Sequence, residues 1–209
     1  MTQLAKGIAR VVSMTLICAG LAGCFPAVVA GGGAAVLSAQ DRRTSGTQIE
    51  DEGIELRAGN RISERFGDKV HVNLTSYNRM VLVTGEVPDA STRAEIEKIV
   101  LSVANVRGVN NELQVAGISS LPARGNDSFI TSKIKARFLD AGKFNPVHVK
   151  VVTEAGVVYL LGQVTDQEAN DAVELARTTG GVRKVVKIFE SCRPTDAPCR
   201  PEPKADAKK

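Results

Sequence analysis

The sequence has few of the residues on which base-stacking, metal and nucleophile sites depend. Its 209 residues include no Trp, two Tyr, two His and four Cys, and aromatic residues make up only 4%. Proteins that bind single-stranded nucleic acid stack bases on aromatic side chains, so this class is disfavoured. The formal net charge is +4, and it falls to +2 if Lys6 and Arg10 leave with an N-terminal signal. We therefore expect no nucleic-acid partner. No G-x-S-x-G or S-x-x-K motif stands in a supporting context, so we also expect that the protein is not an enzyme.

The N-terminus has the pattern of a secretion signal followed by a lipid anchor. Lys6 and Arg10 precede an apolar run at residues 11–21, which is shorter than the roughly 20 residues of a membrane-spanning helix. The next residues, Leu21-Ala22-Gly23-Cys24, resemble the lipobox of bacterial lipoproteins, in which the Cys is acylated, for example with palmitate, and becomes the first mature residue. The alternative is an ordinary signal peptide with Cys24 as a bystander.

The lipobox resemblance also implies a location. Acylation with several chains gives stable membrane anchoring. Phe25 stands where lipoproteins kept in the inner membrane commonly carry Asp. The resemblance therefore implies a lipid-anchored protein of the outer membrane that faces the periplasm, with no cofactor other than the covalent lipid on Cys24.

Two cysteines remain once Cys18 is removed with the signal and Cys24 is lipidated. Cys192 and Cys199 lie in the Pro-rich segment SCRPTDAPCRP near the C-terminus. In an oxidising compartment, turns in this segment could bring the two sulfurs together, so we predict a small disulfide loop. The alternative is a pair of free thiols. A redox site of the CxxC type is not supported, because the spacing is too long and nothing nearby would activate a thiolate.

The middle of the chain carries one module twice. Residues 70–87 align with residues 147–164 at a constant offset, with identities at Val70/Val147, His71/His148, Val72/Val149, Gly85/Gly162 and Val87/Val164. Upstream, Ile62-x-x-Arg65-Phe66 aligns with Ile134-x-x-Arg137-Phe138, and downstream, Val106-Arg107-x-Val109 aligns with Val182-Arg183-x-Val185. Self-similarity of this kind indicates two copies of one structural unit.

Each copy has the periodicities of helix, strand, strand, helix and strand. The apolar residues that predict the buried face of each first helix are Leu56, Ile62 and Phe66, and Ile130, Ile134 and Phe138. Alternating apolar residues predict strands that begin at residues 70 and 147, joined by tight turns at Asn78-Arg79 and Ala155-Gly156 to strands at 80–83 and 157–161. Asp89 and Asp166 are placed to begin or cap second helices, and residues 111–115 and 185–189 are predicted as third strands. The fold class is therefore α+β, with two helices on one face of a three-stranded sheet in each copy.

Two details of the strands need a structural reason. Gly85 and Gly162 interrupt the second strands and predict a bulge or a close approach by a helix. The first copy's second strand, residues 80–83, is apolar on both faces. We expect that the two copies pack together there or that a partner protein covers the strand.

The two units resemble BON domains, the family named after bacterial OsmY and nodulation proteins. The resemblance rests on the Gly-x-Val after each second strand, the Val-x-x-Val before each third strand, and the residues that lead into the units, Gly46-Thr47-Gln48 with Asp51 and Gly53, and Asn126-Asp127 with Ile130-Thr131. Together with the lipobox, the pattern is similar to that of dual BON-domain outer-membrane lipoproteins over roughly residues 14–190. The resemblance implies a non-enzymatic protein that supports outer-membrane integrity, binds anionic phospholipid through its second BON domain and concentrates at division sites.

The charges of the second unit agree with a phospholipid partner. Residues 54–115 hold eight basic and eight acidic side chains, whereas the second unit's first helix carries Lys133, Lys135 and Arg137. Phe129, Lys133 and Arg137 recur every fourth residue and so share a stripe beside Ile130. We predict that Phe129, Ile130, Lys133 and Arg137 contact anionic phospholipid, such as phosphatidylglycerol or cardiolipin. The alternative is a core Phe beside a solvated charged face.

Several alternatives remain open at the level of function. The repeat could instead be a protein-interaction module that assists the outer-membrane assembly machinery or the envelope stress response, or a periplasmic stabiliser. His71 and His148 are predicted on the solvated sheet face, so we expect no metal site. We predict a signal peptide at residues 1–23, a lipidated Gly/Ala-rich flexible tether at 24–45, domain 1 at 46–118, a linker at 119–125, domain 2 at 126–191 and a Pro-rich charged tail at 192–209.

Overall fold

The computed structural model describes residues 41–200. The predicted signal peptide, Cys24 and the tether up to residue 40 lie outside the described residues, as does the tail beyond residue 200. Residues 41–44, predicted as the end of the tether, pack against the domains and begin the fold. In the described part, no helix has the length and apolar character needed to cross a membrane.

Domain 1 has the predicted order of elements. It consists of helix α1 (Ser45–Phe66), strands β1 (His71–Tyr77) and β2 (Met80–Val87), helix α2 (Ala90–Leu101) and the short strands β3 (Gly108–Asn111) and β4 (Gln114–Val115). β1 is antiparallel to β2, and β3 and β4 both run parallel to β2. The third strand is thus divided into two short pieces, and it begins earlier than the predicted 111–115.

Domain 2 repeats this arrangement with a continuous third strand. It consists of helix α3 (Leu121–Ala141), strands β5 (Lys150–Glu154) and β6 (Val157–Val164), helix α4 (Asp166–Arg177) and strand β7 (Lys184–Ser191). β5 is antiparallel to β6, and β7 is parallel to β6. α3 begins within the segment predicted as a linker, because Ser120 caps it by accepting a hydrogen bond from the Ala123 N–H. The fold class is α+β, as predicted.

The buried positions of the first helices correct part of the sequence alignment. α1 buries Asp51, Ile54, Ala58 and Ile62, and α3 buries Asp127, Ile130, Ile134 and Phe138, at the same spacings. Ile62 therefore corresponds to Phe138 and not to Ile134, one helical turn away from the predicted match. Leu56 was wrongly predicted on the buried face of α1. Its side chain is 65% exposed, because it lies six residues from Ile62 and so on another face.

A buried aspartate of each first helix holds the hairpin turn of its domain. Asn78 and Ala155 have positive φ angles, as a two-residue type I′ turn requires. Asp51 accepts hydrogen bonds from the backbone N–H groups of Asn78 and Arg79, at 2.8 and 2.7 Å. Asp127 accepts from the N–H groups of Ala155 and Gly156, at 2.9 and 2.8 Å. The first helix and the hairpin are thereby fixed to each other in both copies.

Gly85 and Gly162 permit a close approach of backbone to backbone. A Cβ atom at Gly85 would lie 2.0 Å from the carbonyl oxygen of His71, and one at Gly162 would lie 2.2 Å from that of His148. The neighbour is therefore the first residue of β1 in domain 1 and, in domain 2, the 3-10 turn that leads into β5, and in neither domain an α-helix. Any larger residue would force this part of the sheet apart.

The helix-free faces of the two sheets pack against each other. Leu82 of β2 and Tyr77 of β1 form one apolar cluster with Tyr159 and Leu161 of β6. Val81 and Val83 point the other way, into the core of domain 1. The expectation that the two copies cover the apolar face of β2 is confirmed, and Leu82 is the residue that β2 contributes to this apolar cluster.

Candidate functional site

The exposed face of α3 carries large apolar side chains separated by small ones. Phe129 is 62% exposed and Leu139 is 68% exposed. At helical spacing, Ser132 and Ala136 lie between them on the same face, and both are exposed. Leu121, at the start of the helix, lies on this face as well. We call Leu121, Phe129, Ser132, Ala136 and Leu139 the α3 face.

Cations flank the α3 face on both sides. Lys133 and Arg137 lie on one side and Lys135 on the other, as the helical period of 3.6 residues dictates. The Lys133 ammonium lies 4.9 Å from the centre of the Phe129 ring. No carboxylate within residues 41–200 forms an ion pair with any of these three side chains, although the exposed Asp140 lies three residues after Arg137 on the same helix.

Lys133 and Arg137 are held in place by the end of helix α4. Lys133 Nζ donates a hydrogen bond to the carbonyl oxygen of Gly180. Arg137 Nη1 donates to the Leu175 carbonyl oxygen at 2.7 Å and to Thr179 Oγ1 at 2.8 Å. Cations at a helix C-terminus are favourable because the carbonyl groups there carry partial negative charge. These two residues therefore connect α3 to α4 as well as contributing positive charge.

Ile130 does not belong to this surface. Its side chain is 1% exposed and packs in the core of domain 2 with Ile134 and Phe138. It cannot meet a ligand on the α3 face without opening the domain, so we remove it from the predicted contacts. Leu139 and Leu121 are the exposed apolar residues that the sequence reasoning missed, although their helical spacing from Phe129 could have indicated them.

Domain 1 presents a different surface at the equivalent helix. In the structural register of the repeat, Gly53 stands where domain 2 has Phe129, and Arg57 stands where it has Lys133. Arg57 forms an ion pair with Glu50 at 2.5 Å. The same scaffold in domain 1 therefore lacks the exposed ring, and the cation beside that position is paired; the one equivalent cation without an ion pair among the described residues of this helix face is Arg61, which stands where domain 2 has Arg137 and donates to Ser102.

Polar contacts between the domains surround the apolar interface. Asn78 and Arg107 of domain 1 donate hydrogen bonds to Glu190 of domain 2 at 2.6 and 3.0 Å.

Tyr159, in the apolar cluster between the domains, is 2% exposed. Burial raises the pKa of Tyr159 to about 12, and the nearby charges of Glu112 and Glu154 add to this effect.

The segment before α1 also ties into domain 2. Arg42 donates to the Gln163 carbonyl oxygen at 2.7 Å and forms a two-pronged ion pair with Glu168 at 2.7 and 2.9 Å. Burial opposes ionisation of Glu168, but interactions with His148, Arg42 and the Thr165 N–H outweigh it and lower the pKa of Glu168. This end of the predicted tether is thus part of the folded unit.

His71 and His148 are placed differently from the prediction. The His71 and His148 side chains are 14% and 15% exposed, respectively, and neither lies on a solvated sheet face. His71 Nδ1 lies 2.9 Å from Glu86 Oε2, and His148 Nδ1 lies 3.6 Å from Glu168 Oε1. For His71 the prediction failed because the sheet face that it treated as solvated is covered by domain 2. For His148 it failed because the residue lies in a 3-10 turn, Pro146–His148, and not in a strand.

His71 belongs to a group of residues with the donor atoms of a metal site. One ligand atom each from His71, Glu86 and Glu154 lie within 4.8 Å of one another. Glu86 and Glu154 are 6% and 5% exposed. His71 and Glu86 come from domain 1 and Glu154 from domain 2, so only the assembled pair of domains brings the group together.

The two C-terminal cysteines lie next to each other. Cys192 and Cys199 are joined by a disulfide, with their Cα atoms 6.1 Å apart. Cys199 is 2% exposed. The loop that the disulfide closes therefore packs on domain 2 and does not extend freely into solvent.

Comparison with known proteins identifies both repeats. The BON domain family model matches residues 51–117 and 126–190. The outer membrane lipoprotein DolP of Haemophilus influenzae is 38% identical over 172 residues, which cover 81% of this chain and 89% of the relative. A 21 kDa hemolysin of Actinobacillus pleuropneumoniae is 31% identical over 71% of this chain and 78% of its own. The osmotically-inducible protein Y of Escherichia coli is 32% identical over 54% of this chain and 58% of its own.

The match of the family model to both repeats agrees with the α-β-β-α-β order of each domain and with the equivalent aspartates and glycines of the two copies. The chain therefore belongs to the BON domain family, of which it carries two tandem copies.

Proposed function

We propose that this protein is a non-enzymatic outer-membrane lipoprotein whose α3 face binds anionic phospholipid and thereby supports outer-membrane integrity. The proposal rests on the combination of an exposed Phe129 with the cations Lys133, Lys135 and Arg137, which form no ion pair within residues 41–200. The lipobox at Cys24 and the similarity to an outer membrane lipoprotein support an anchored protein. Binding at division sites would follow where anionic lipid is enriched.

The α3 face has the properties of a surface that inserts at the edge of a bilayer. Phe129 and Leu139 can enter the boundary between headgroups and acyl chains, because the residues between them, Ser132 and Ala136, leave room for lipid. Each Lys or Arg near an anionic surface contributes about 1 kcal/mol, so three cations supply about 3 kcal/mol. Binding this weak is sufficient for a protein that a covalent lipid already confines to the membrane.

Domain 1 serves as an internal comparison. Its equivalent helix has Gly53 in place of Phe129, and the Arg57 charge is paired with Glu50. Leu56 of domain 1 is nevertheless as exposed as Phe129, at 65% against 62%. If an exposed apolar side chain alone were sufficient for lipid binding, both domains would bind vesicles. If an exposed aromatic ring and unpaired cations are needed together, only domain 2 will bind them.

Vesicle flotation tests the proposal directly. The unit Gln40–Lys209 contains both cores and can be tested without the predicted lipid anchor. We expect it to float with vesicles that contain phosphatidylglycerol and not with pure phosphatidylcholine vesicles. Phe129→Ala should weaken binding about tenfold, from a loss of about 1.5 kcal/mol of apolar burial. Lys135→Gln should weaken it about fivefold.

Two matched variants in domain 1 control for general effects. Leu56→Ala removes an equally exposed apolar side chain, and Arg57→Gln removes one cation from the equivalent helix; neither should change flotation. Equal losses in both domains would contradict a site on α3. Absence of flotation from any anionic vesicle would favour the protein-interaction module instead.

A further inference from the structure

We propose that His71, Glu86 and Glu154 form a binding site for one divalent transition-metal ion, best suited to Zn²⁺, at the junction of the two domains. The site is independent of the α3 face. Its three candidate ligand atoms lie within 4.8 Å of one another. Both carboxylates are more than nine-tenths buried, unlike the exposed acidic groups that commonly lie close together without a metal.

The charge of the group calls for a cation. Two buried carboxylates within a few ångströms repel each other and have lost much of their hydration. Among the ion pairs within residues 41–200, Glu86 has only His71 as a partner and Glu154 has none with Lys or Arg. Arg124, which lines the adjacent cavity, donates instead to Ser119. A divalent ion would supply the missing positive charge.

The existing hydrogen bonds already orient the ligands. Glu154 Oε2 accepts from Asn73 Nδ2 at 2.8 Å and from Thr84 Oγ1 at 3.3 Å, and Glu86 Oε2 accepts from the Ser119 N–H at 3.2 Å. Such outer-shell partners fix the direction of metal ligands in known sites. The amide nitrogen of Asn73 also lies 3.4 Å from His71 Nε2, so one side chain contacts both His71 and Glu154.

The ligand types favour Zn²⁺ over Mg²⁺ or Ca²⁺. Imidazole is a ligand of Zn²⁺ and similar ions, whereas Mg²⁺ and Ca²⁺ prefer oxygen ligands alone. Ligands at about 2.1 Å in a tetrahedral site lie about 3.4 Å apart, so the atoms that now lie within 4.8 Å need to close by at most about 1.4 Å.

The surroundings leave a position for a further ligand. His71, Asn73 and Glu154 line a cavity of about 520 Å³ between β1 of domain 1 and α3 and β5 of domain 2. Water from this cavity can complete the coordination. Because His71 and Glu86 belong to one domain and Glu154 to the other, the bound ion would hold the two domains in their present orientation.

Metal titration of the full-length chain in mild detergent tests the proposal. After treatment with EDTA and dialysis, the protein is titrated with ZnCl₂, and bound zinc is measured by mass spectrometry after gel filtration. We expect one equivalent of Zn²⁺ per chain. At about 100-fold excess over the dissociation constant, the Tm should rise by roughly 5–10 °C. Mg²⁺ at the same concentration should have no effect on the Tm.

Variants assign the site. Glu154→Gln keeps the shape of the side chain and an acceptor for Asn73, and it should weaken Zn²⁺ binding at least tenfold and so reduce the Tm shift at the same Zn²⁺ concentration to about half or less. His71→Gln should do the same and provides the test if Glu154→Gln does not fold by circular dichroism. Glu190→Gln is the matched control, since Glu190 is also an acidic residue of the interface but lies outside the group.

Two outcomes would overturn the proposal. One is a wild-type chain that binds less than a tenth of an equivalent of zinc at tenfold molar excess. The other is a chain that binds zinc but retains full affinity in both the His71 and the Glu154 variants, which would place the ion elsewhere.

Discussion

Replacement of Asp127 by Ala should destabilise domain 2 through the loss of two hydrogen bonds to the hairpin turn. The carboxylate is 7% exposed and accepts from the N–H groups of Ala155 and Gly156 at 2.9 and 2.8 Å. A hydrogen bond to a charged group contributes about 1.5–3 kcal/mol. Because solvent can reach the tip of the turn in the variant, we expect a loss near the lower end, about 3–4 kcal/mol.

A loss of this size is large against the about 5–15 kcal/mol by which domains are usually stable. It can be measured by urea denaturation of the unit Gln40–Lys209, monitored by far-UV circular dichroism because the chain has no Trp. Asp140→Ala, at an exposed position near the end of α3, is the control and should change the free energy of unfolding by less than about 0.5 kcal/mol.

Asp51→Ala should lower the free energy of unfolding more than Asp127→Ala does, because Asp51 also accepts a hydrogen bond from Ser76 and forms an ion pair with Arg43. An Asp127→Ala loss below about 1 kcal/mol would refute the role assigned to the buried aspartates.

Three further predictions follow from the folded unit. Gly162→Ala should cost more than about 2 kcal/mol, because the added Cβ would lie 2.2 Å from the His148 carbonyl oxygen, whereas Gly180→Ala, with open space around it, should be nearly neutral in the same denaturation assay. The pKa of Glu168 is lowered in the folded state, so its contribution to the free energy of unfolding is present above about pH 4.5 and is lost as the pH falls. In the Glu168→Gln variant, the free energy of unfolding should therefore fall less steeply between about pH 4.5 and lower pH than in the wild type. The same steepness in both proteins would contradict this. Reduction of the Cys192–Cys199 disulfide should lower the free energy of unfolding by about 2 kcal/mol, measured with and without a phosphine reductant.

Local pattern was sufficient to predict most of the fold. The internal repeat, the order of elements, the tight turns at Asn78-Arg79 and Ala155-Gly156 and the buried face of α3 all follow from short-range chemistry. The apolar character of both faces of β2 even indicated where the domains meet, because a strand in a single two-layer domain needs only one apolar face.

The errors lie where several local solutions look alike or where the answer depends on distant parts of the chain. An Ile recurs on the buried face of α3 at successive helical turns, so a match of Ile62 to Ile134 was as good by sequence as the true match to Phe138. The placement of His71 depends on the docking of domain 2, which strand periodicity does not contain. Ile130 and Phe129 are neighbours in the chain, yet one is buried and the other exposed. The grouping of His71 with Glu86 and Glu154 joins residues from two domains, so no spacing in the sequence could indicate it.

The central claim is that the exposed surface of α3 distinguishes anionic from neutral lipid. The most direct measurement is the dissociation constant of the unit Gln40–Lys209 for vesicles with and without phosphatidylglycerol, for wild type and for Phe129→Ala, at low and at high NaCl. The account predicts binding only to the anionic vesicles, weakened by salt and weakened about tenfold in the variant. Equal binding to both kinds of vesicle, or anionic binding that is unchanged in Phe129→Ala, would contradict it.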